Sequence, residues 1–328
     1  MSTLDAMDRI DIIRLAVEDG YREQLAIDAR NGLTSTPKSL PPKYFYDARG
    51  SALFEAITRL PEYYQTRTEM TILSEVASTI IANVRPTEIV ELGSGASRKT
   101  RLLLEAMHAA GTGNRYVPFD VSEDALIDAT LMLIGDYPWL EVHGVVGDFD
   151  YHLKRIPRGG RRLVMFLGST IGNLHPDGHA AFLSDIAGLL DDGDAFLLGV
   201  DLVKDIATLE AAYDDAQGVT AEFNRNVLAV LNRELGANFP LDAFAHVARY
   251  RPDSAWIEMA LRAERNLVVH LDTLDLDIDF ARGEELRTEI SCKFTRQGVE
   301  AAFSATGLTL RQWHTDPKRY FAVALATR

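Results

Sequence analysis

Two glycines separated by one residue, Gly93-Ser94-Gly95, follow a short β-branched run that ends in Glu91. They precede a helical run, KTRLLLEAMHAA. Strand, glycine turn, helix is the arrangement in which bare backbone and a helix N-terminus receive a nucleotide. A pyrophosphate cradle wants a third glycine, G-x-G-x-x-G, and that place holds Arg98. The turn therefore suits a nucleoside joined to an amino acid, S-adenosylmethionine, better than a dinucleotide. Two stations downstream agree. Asp120 closes RYVPFD, where a carboxylate can accept both ribose hydroxyls; the competing role, capping the next helix, can fall to Ser122. Asp148-Phe149 closes EVHGVVGDF, where the acid can accept the adenine amine and the ring can cover the base, unless they are a turn aspartate and a core aromatic.

A fourth strand, RRLVMFLGSTIGNL, ends in a stretch of small residues from Gly168 to Asn173. Small residues admit a ligand to the backbone, and Asn173 offers both a donor and an acceptor where a methyl group would transfer. Asn173 could instead cap the following helix. Tyr44, Tyr46, Tyr63 and Tyr64 cluster near the start of the chain, and Tyr213 lies on a later helix. Tyrosine faces attract alkylammonium groups and the hydroxyls bind carboxylate or amine, against an ordinary role in packing. In RTEISCKF, alternation sets Glu289 and Ser291 on one face and Thr288, Ile290, Cys292 and Phe294 on the other. A Glu and a Ser side by side could hold a planar ring with two nitrogens, or simply face solvent. Cys292 and Met259 alternate with apolar residues and read as core. Asp275, Asp277 and Asp279 read as the wet side of a strand, and His175 and His179 as decoration at a helix start rather than a metal site. No G-x-S-x-G elbow is present.

The elements that must position these residues are legible. Continuous apolar strands alternate with amphipathic helices from residue 87 to 203, which implies a parallel sheet covered on both faces. The first ~35 residues read as helical and polar, followed by a proline-broken loop, TPKSLPPKYFYDARGS. After Lys204 come helices, then FAHVARY, AWIEMALRA, NLVVHL and LDLDIDF, which read as one antiparallel sheet with a wet face. A last helix and two strands, LTLRQWHT and FAVALATR, would complete the first sheet, so the antiparallel section is an insertion. A length of 328 residues suggests two domains. The formal net charge of -14 argues against nucleic acid or an anionic membrane surface as partner. One cysteine allows neither an intrachain disulfide nor a cysteine metal cluster. Without a secretion signal or an apolar span, the expectation is a soluble cytoplasmic protein.

Longer strings carry a resemblance. TPKSLPPKYFYDARGSALFEAITRLPEYYQTRTE, VELGSGASRKTRLLL, VPFDV, GDF, FLGSTIGNL, LLGVDLVKD, AYDDAQGVTAEFNRNVLAVLNRELGANF and TEISCKF are similar to the bacterial L-histidine Nα-methyltransferases of ergothioneine biosynthesis. The resemblance runs from about residue 36 to the C-terminus. Tyr44 stands where Trp is usual, and the first ~30 residues match weakly. It implies an α/β fold: a Rossmann-like class I methyltransferase sheet (67–203 and 291–328) plus a second, α+β histidine-binding domain (1–66 and 204–290). It implies S-adenosylmethionine held by Tyr46, Gly93, Ser94, Lys99, Asp120, Asp148, Phe149 and Gly168. Histidine would meet Tyr63, Asn173 and Tyr213 through its amino-acid end, and Glu289, Ser291 and Met259 through its imidazole. Tyr46 and Asn173 are the candidates for steering the amine proton. The implied reaction is trimethylation of histidine to hercynine by a monomer that needs no metal. Rival readings are a methyltransferase for another amine, a non-catalytic adenosylmethionine-binding regulator, and a nicotinamide oxidoreductase.

Overall fold

β-branched and aromatic runs of five to eight residues, too short for stable helices, supply most of the strands. A computed structural model describes residues 9–15, 18–95 and 97–328, with the side chains of Glu18, Asp19, Phe149 and Asp150 outside the description. Along the described chain the strands are β1 (Ile10–Arg14), β2 (Lys38–Ser39), β3 (Glu88–Leu92), β4 (Arg115–Asp120), β5 (Glu141–Val146), β6 (Arg162–Phe166) and β7 (Ala195–Asp201). Then follow β8 (Phe244–Arg251), β9 (Trp256–Ala263), β10 (Leu267–Leu271), β11 (Leu276–Phe280), β12 (Glu285–Cys292), β13 (Thr309–Thr315) and β14 (Phe321–Thr327). Two compact units result. One takes residues 9–15, 65–203 and 293–328; the other takes 18–64 and 204–292.

The first unit is built on an eight-stranded sheet in the order β1-β5-β4-β3-β6-β7-β14-β13. Its strands run parallel from β1 through β7, and β14 and β13 are antiparallel additions. The chain steps from β3 out to β4 and β5, then returns to β6 on the other side of β3. Such a reversal opens a crevice at the carboxyl ends of the strands, the usual ligand position in open parallel sheets. Both faces are dry, as continuous apolar strands require. Ile89, Leu163, Met165 and Leu197 join one core with helices Gln65–Val84 and Thr100–Ala109. Val90, Val164, Phe166 and Leu198 join the other with helices Pro176–Leu189 and Arg296–Ala305.

The amino-terminal expectation needs correction. Residues 10–14 are a strand, not helix, and pair in parallel with β5 from Ile10–Val142 to Arg14–Val146. Three isoleucines in IDIIR favour the extended chain once a sheet edge offers partners. Residues 1–8, 16 and 17 lie outside the described residues, and β1 belongs with the large sheet rather than with a domain reaching to residue 66.

In the second unit β12 lies between β2 and β9, and β8 closes the sheet, in the order β2-β12-β9-β8. Here too the structure departs from expectation. β10 and β11 pair with each other as a two-stranded ribbon outside that sheet, with one further bridge from Leu271 to Ala237. β12 is no half-wet strand, since every residue from Thr288 to Cys292 is buried. β12 runs unbroken to Cys292, so Ser291 belongs to this unit and the boundary falls at 292/293. Helix Val219–Leu235 is tied to the loop before helix Ala48–Ile57, where Asn226 donates to the Asp47 carboxylate at 2.7 Å. Among the described residues no helix is long and apolar enough to cross a membrane.

Candidate active site

In the first unit the glycine turn leaves β3 with Gly93 at φ 68° and Gly95 at φ 46°. The N–H groups of Gly93 and Ser94 donate to the Phe119 carbonyl at 2.8 and 3.3 Å. Among the described residues, chain neighbours aside, a Cβ at either glycine would meet nothing within 4 Å. Ser94 Oγ is buried without a hydrogen-bond partner among the described residues, which fits a site made to receive a polar ligand. Ala96 lies outside the description. Asp120 Oδ2 accepts the Gly95 N–H at 2.9 Å and Oδ1 accepts the Ser122 N–H at 3.0 Å. The helix cap is Ser122, through the Ala125 N–H at 3.4 Å. Asp120 thus fixes the glycine turn and retains lone pairs for further donors. Asp148 is half-buried at the mouth of β5, its N–H donating to His152 Nδ1 at 3.1 Å. The Phe149 side chain lies outside the described residues.

Gly168 turns at φ 76° and donates its N–H to both oxygens of Glu69 at 2.9 Å. The same carboxylate accepts Lys99 Nζ at 2.5 Å and is fully buried. Asn173 ends the 3₁₀ turn Thr170–Asn173, and its side chain makes no hydrogen bond among the described residues. It does not cap the next helix, whose cap position is His175 with no side-chain bond. Beneath the turn, Glu91 accepts from the hydroxyls of Thr100 and Tyr116. Burial pushes its carboxyl up to about 7, against the opposing pull of those two hydroxyls.

In the second unit Tyr46 and Tyr63 lie against Phe54, whereas Tyr44 packs on Tyr21 and donates to Asp28 at 2.6 Å. The Tyr46 ring stands edge-on to Phe54 and Phe223 at 5.7 and 5.6 Å, and Tyr63 lies 6.1 Å from Phe54. The Tyr213 hydroxyl donates to Ser291 Oγ at 2.7 Å in a buried contact. Glu289 is paired across the sheet with Met259, and both are buried. The β12–β9 register slips between Arg287 and Glu289, which leaves Thr288 as the extra residue of a bulge. Thr288 Oγ1 donates to Asn224 Oδ1 at 2.6 Å, and Asn224 Nδ2 lies 2.8 Å from His246 Nδ1. His246 Nε2 lies 2.9 Å from the Tyr213 carbonyl, which can only accept. The imidazole is therefore the Nε2–H tautomer, and burial holds its pKa below the usual histidine range.

Glu69, Asn224 and His246 carry no motif and were not expected. Glu69 left one signal: Gln65, Glu69, Leu73, Ala77, Ile80 and Val84 share one buried helical stripe, so a carboxylate sits among apolar positions. Asp277 takes His270 Nδ1 at 2.7 Å on the exposed ribbon, His179 meets the Leu174 carbonyl at 3.1 Å, and Cys292 is buried. Among the described residues no three His, Cys, Asp or Glu side chains group to hold a metal.

The sheet and its carboxyl-end stations define a Rossmann-like class I methyltransferase fold that uses S-adenosylmethionine. The model of the histidine-specific, SAM-dependent methyltransferases matches residues 25–328, and the chain belongs to that family. It is 55% identical over 310 residues to a histidine N-alpha-methyltransferase of Mycolicibacterium smegmatis, covering 94% of this chain and 97% of that one. A histidine N-alpha-methyltransferase of Mycobacterium tuberculosis is 51% identical over 320 residues, covering 98% and 100%. Ergothioneine biosynthesis protein 1 of Neurospora crassa is 32% identical over 308 residues, 92% of this chain and 34% of that longer protein.

Proposed function

We propose that this chain transfers methyl groups from S-adenosylmethionine to the α-amine of L-histidine, three in succession, giving hercynine as the first step of ergothioneine biosynthesis. The observation that carries the reading is a chemical one within a histidine-specific family. A carboxylate, Glu289, and a hydroxyl, Ser291, are buried two residues apart on one strand, with Met259 and Tyr213 as neighbours. A carboxylate accepts an imidazole N–H in a charge-assisted hydrogen bond, and a hydroxyl two residues along the strand can meet the second ring nitrogen.

In this reading Gly93, Ser94, Lys99, Asp120, Asp148, Phe149 and Gly168, with Tyr46, hold the methyl donor. Tyr63, Asn173 and Tyr213 hold the amino-acid end of histidine. Adenosylmethionine supplies an electrophilic methyl on a sulfonium. The amine lone pair forms the new C–N bond as the C–S bond breaks, and the sulfur takes the electron pair. Positioning supplies much of the acceleration. The amine must first lose its proton, and Tyr46 and Asn173 steer that proton toward a hydroxyl or water network. Tyrosine faces then retain the mono- and dimethylated cations for the next round. The chain acts as a monomer.

Incubating the purified protein with S-adenosylmethionine and each of the twenty amino acids, then reading product mass, tests the reading. Histidine alone should gain three methyl groups. Methylation of a different amino acid in preference, or no product at all, would overturn it.

A further inference from the structure

We infer that Glu69 is a positioning residue for the methyl-donor site: its buried carboxylate clamps Lys99 to the Gly168 turn and so sets the spacing of the two loops that receive the cofactor. The inference rests on the proposed reading only in taking Lys99 and Gly168 as cofactor contacts. Glu69 lies on helix Gln65–Val84 and is fully buried, a place where a carboxylate persists only if its charge is compensated. Its partners come from two different strand ends. Lys99 closes the loop after β3, and Gly168 opens the loop after β6. Oε2 takes Lys99 Nζ at 2.5 Å, and both oxygens take the Gly168 N–H at 2.9 Å.

The packing leaves the carboxylate little freedom. A Cβ placed on Gly199 of β7 would lie 1.9 Å from Glu69 Oε1, so this strand needs a glycine where the carboxylate presses against it. A Cβ on Gly168 would lie 3.2 Å from Lys99 Nζ, so ammonium and turn are in close approach. Lys99 has one ion-pair partner among the described residues, and an ammonium carries three donors. Two donors remain for an acceptor on the ligand, of which the carboxylate of the methionine end is the matching chemistry. Without Glu69, Lys99 would lose its anchor and the Gly168 N–H its acceptor, although neither cofactor contact had been mutated.

The test is calorimetric titration of S-adenosylhomocysteine into wild type, Glu69→Gln, Lys99→Met and the double variant, beside histidine turnover. Glu69→Gln should weaken adenosylhomocysteine binding about tenfold or more, the loss expected when a charged hydrogen bond is broken. It should raise the adenosylmethionine KM far more than the histidine KM. In the Lys99→Met background the same change should add less than about threefold, because the clamp then has one arm left. Gly199→Ala displaces the carboxylate without replacing it and should reproduce the affinity loss, which keeps the inference testable if Glu69→Gln does not fold. Wild-type affinity in folded Glu69→Gln or Gly199→Ala overturns the clamp, as do full and independent losses in the two backgrounds. A wild type that binds adenosylhomocysteine but leaves histidine unmethylated overturns the histidine reading and leaves the clamp standing.

Discussion

At the scale of single residues, the proposed reading assigns substrate choice and methyl transfer to different side chains. Glu289 is buried and lies beside Met259 across β12 and β9. A charge-assisted hydrogen bond from an imidazole N–H is worth roughly 1.5–3 kcal/mol. Glu289→Ala should therefore raise the histidine KM at least about tenfold and leave adenosylhomocysteine affinity within about twofold; an unchanged histidine KM would remove Glu289 from the site. Asn173 makes the complementary case. Its side chain bonds to nothing among the described residues and caps no helix. Asn173→Ala should lower kcat/KM for histidine by about 10- to 100-fold while the melting temperature stays within ~2 °C, since no folded-state hydrogen bond is lost. A loss of stability matched to the loss of activity would show a structural role instead.

At the scale of elements, Glu91 ties three of them together. It is the penultimate residue of β3, just before the glycine turn, and accepts from the hydroxyls of Thr100, on the following helix, and Tyr116, on β4. Burial raises its carboxyl from 4.5 to about 7. Between those values the folded chain keeps a proton that the unfolded chain has lost. Its stabilising contribution is thus full below about 4.5 and gone above about 7. The difference amounts to about 3 kcal/mol. Urea unfolding at pH 5 and pH 8 should show Glu91→Gln gaining stability relative to wild type as pH rises; a gap that does not change with pH would mean that Glu91 does not titrate there. The glycine turn, the strand that ends at Asp120 and the terminal hairpin were legible, because each follows a local period or turn chemistry, whereas β5 stops at Val146, two residues before Asp148. What stayed hidden was set by pairing and packing. IDIIR became a strand only because β5 offered an edge. Thr288 became a bulge through its register against β9, and β12 is buried from Thr288 to Cys292, Glu289 and Ser291 included. Glu69 carries no motif, and only the fold brings Lys99 and Gly168 to it.

At the scale of the whole molecule, the net charge of -14 acts on one ligand and spares the others. Near neutral pH S-adenosylmethionine carries a carboxylate, an ammonium and a sulfonium, a net positive charge. S-adenosylhomocysteine, histidine with a neutral ring and hercynine each carry none. A protein of this sign attracts the methyl donor over distances that salt screens, about 10 Å at 0.1 M. Transfer removes that attraction, because the positive charge leaves the sulfur and a proton departs from the amine. Product should therefore be released more readily than donor, and the preference should depend on ionic strength. Raising salt from ~20 to ~500 mM should raise the adenosylmethionine KM about two- to fivefold and leave the inhibition constant of adenosylhomocysteine within about twofold. Product inhibition at a fixed donor concentration should accordingly grow with salt. Equal weakening of both ligands would mean that salt acts on the fold and that the acidic surface contributes nothing to donor selection.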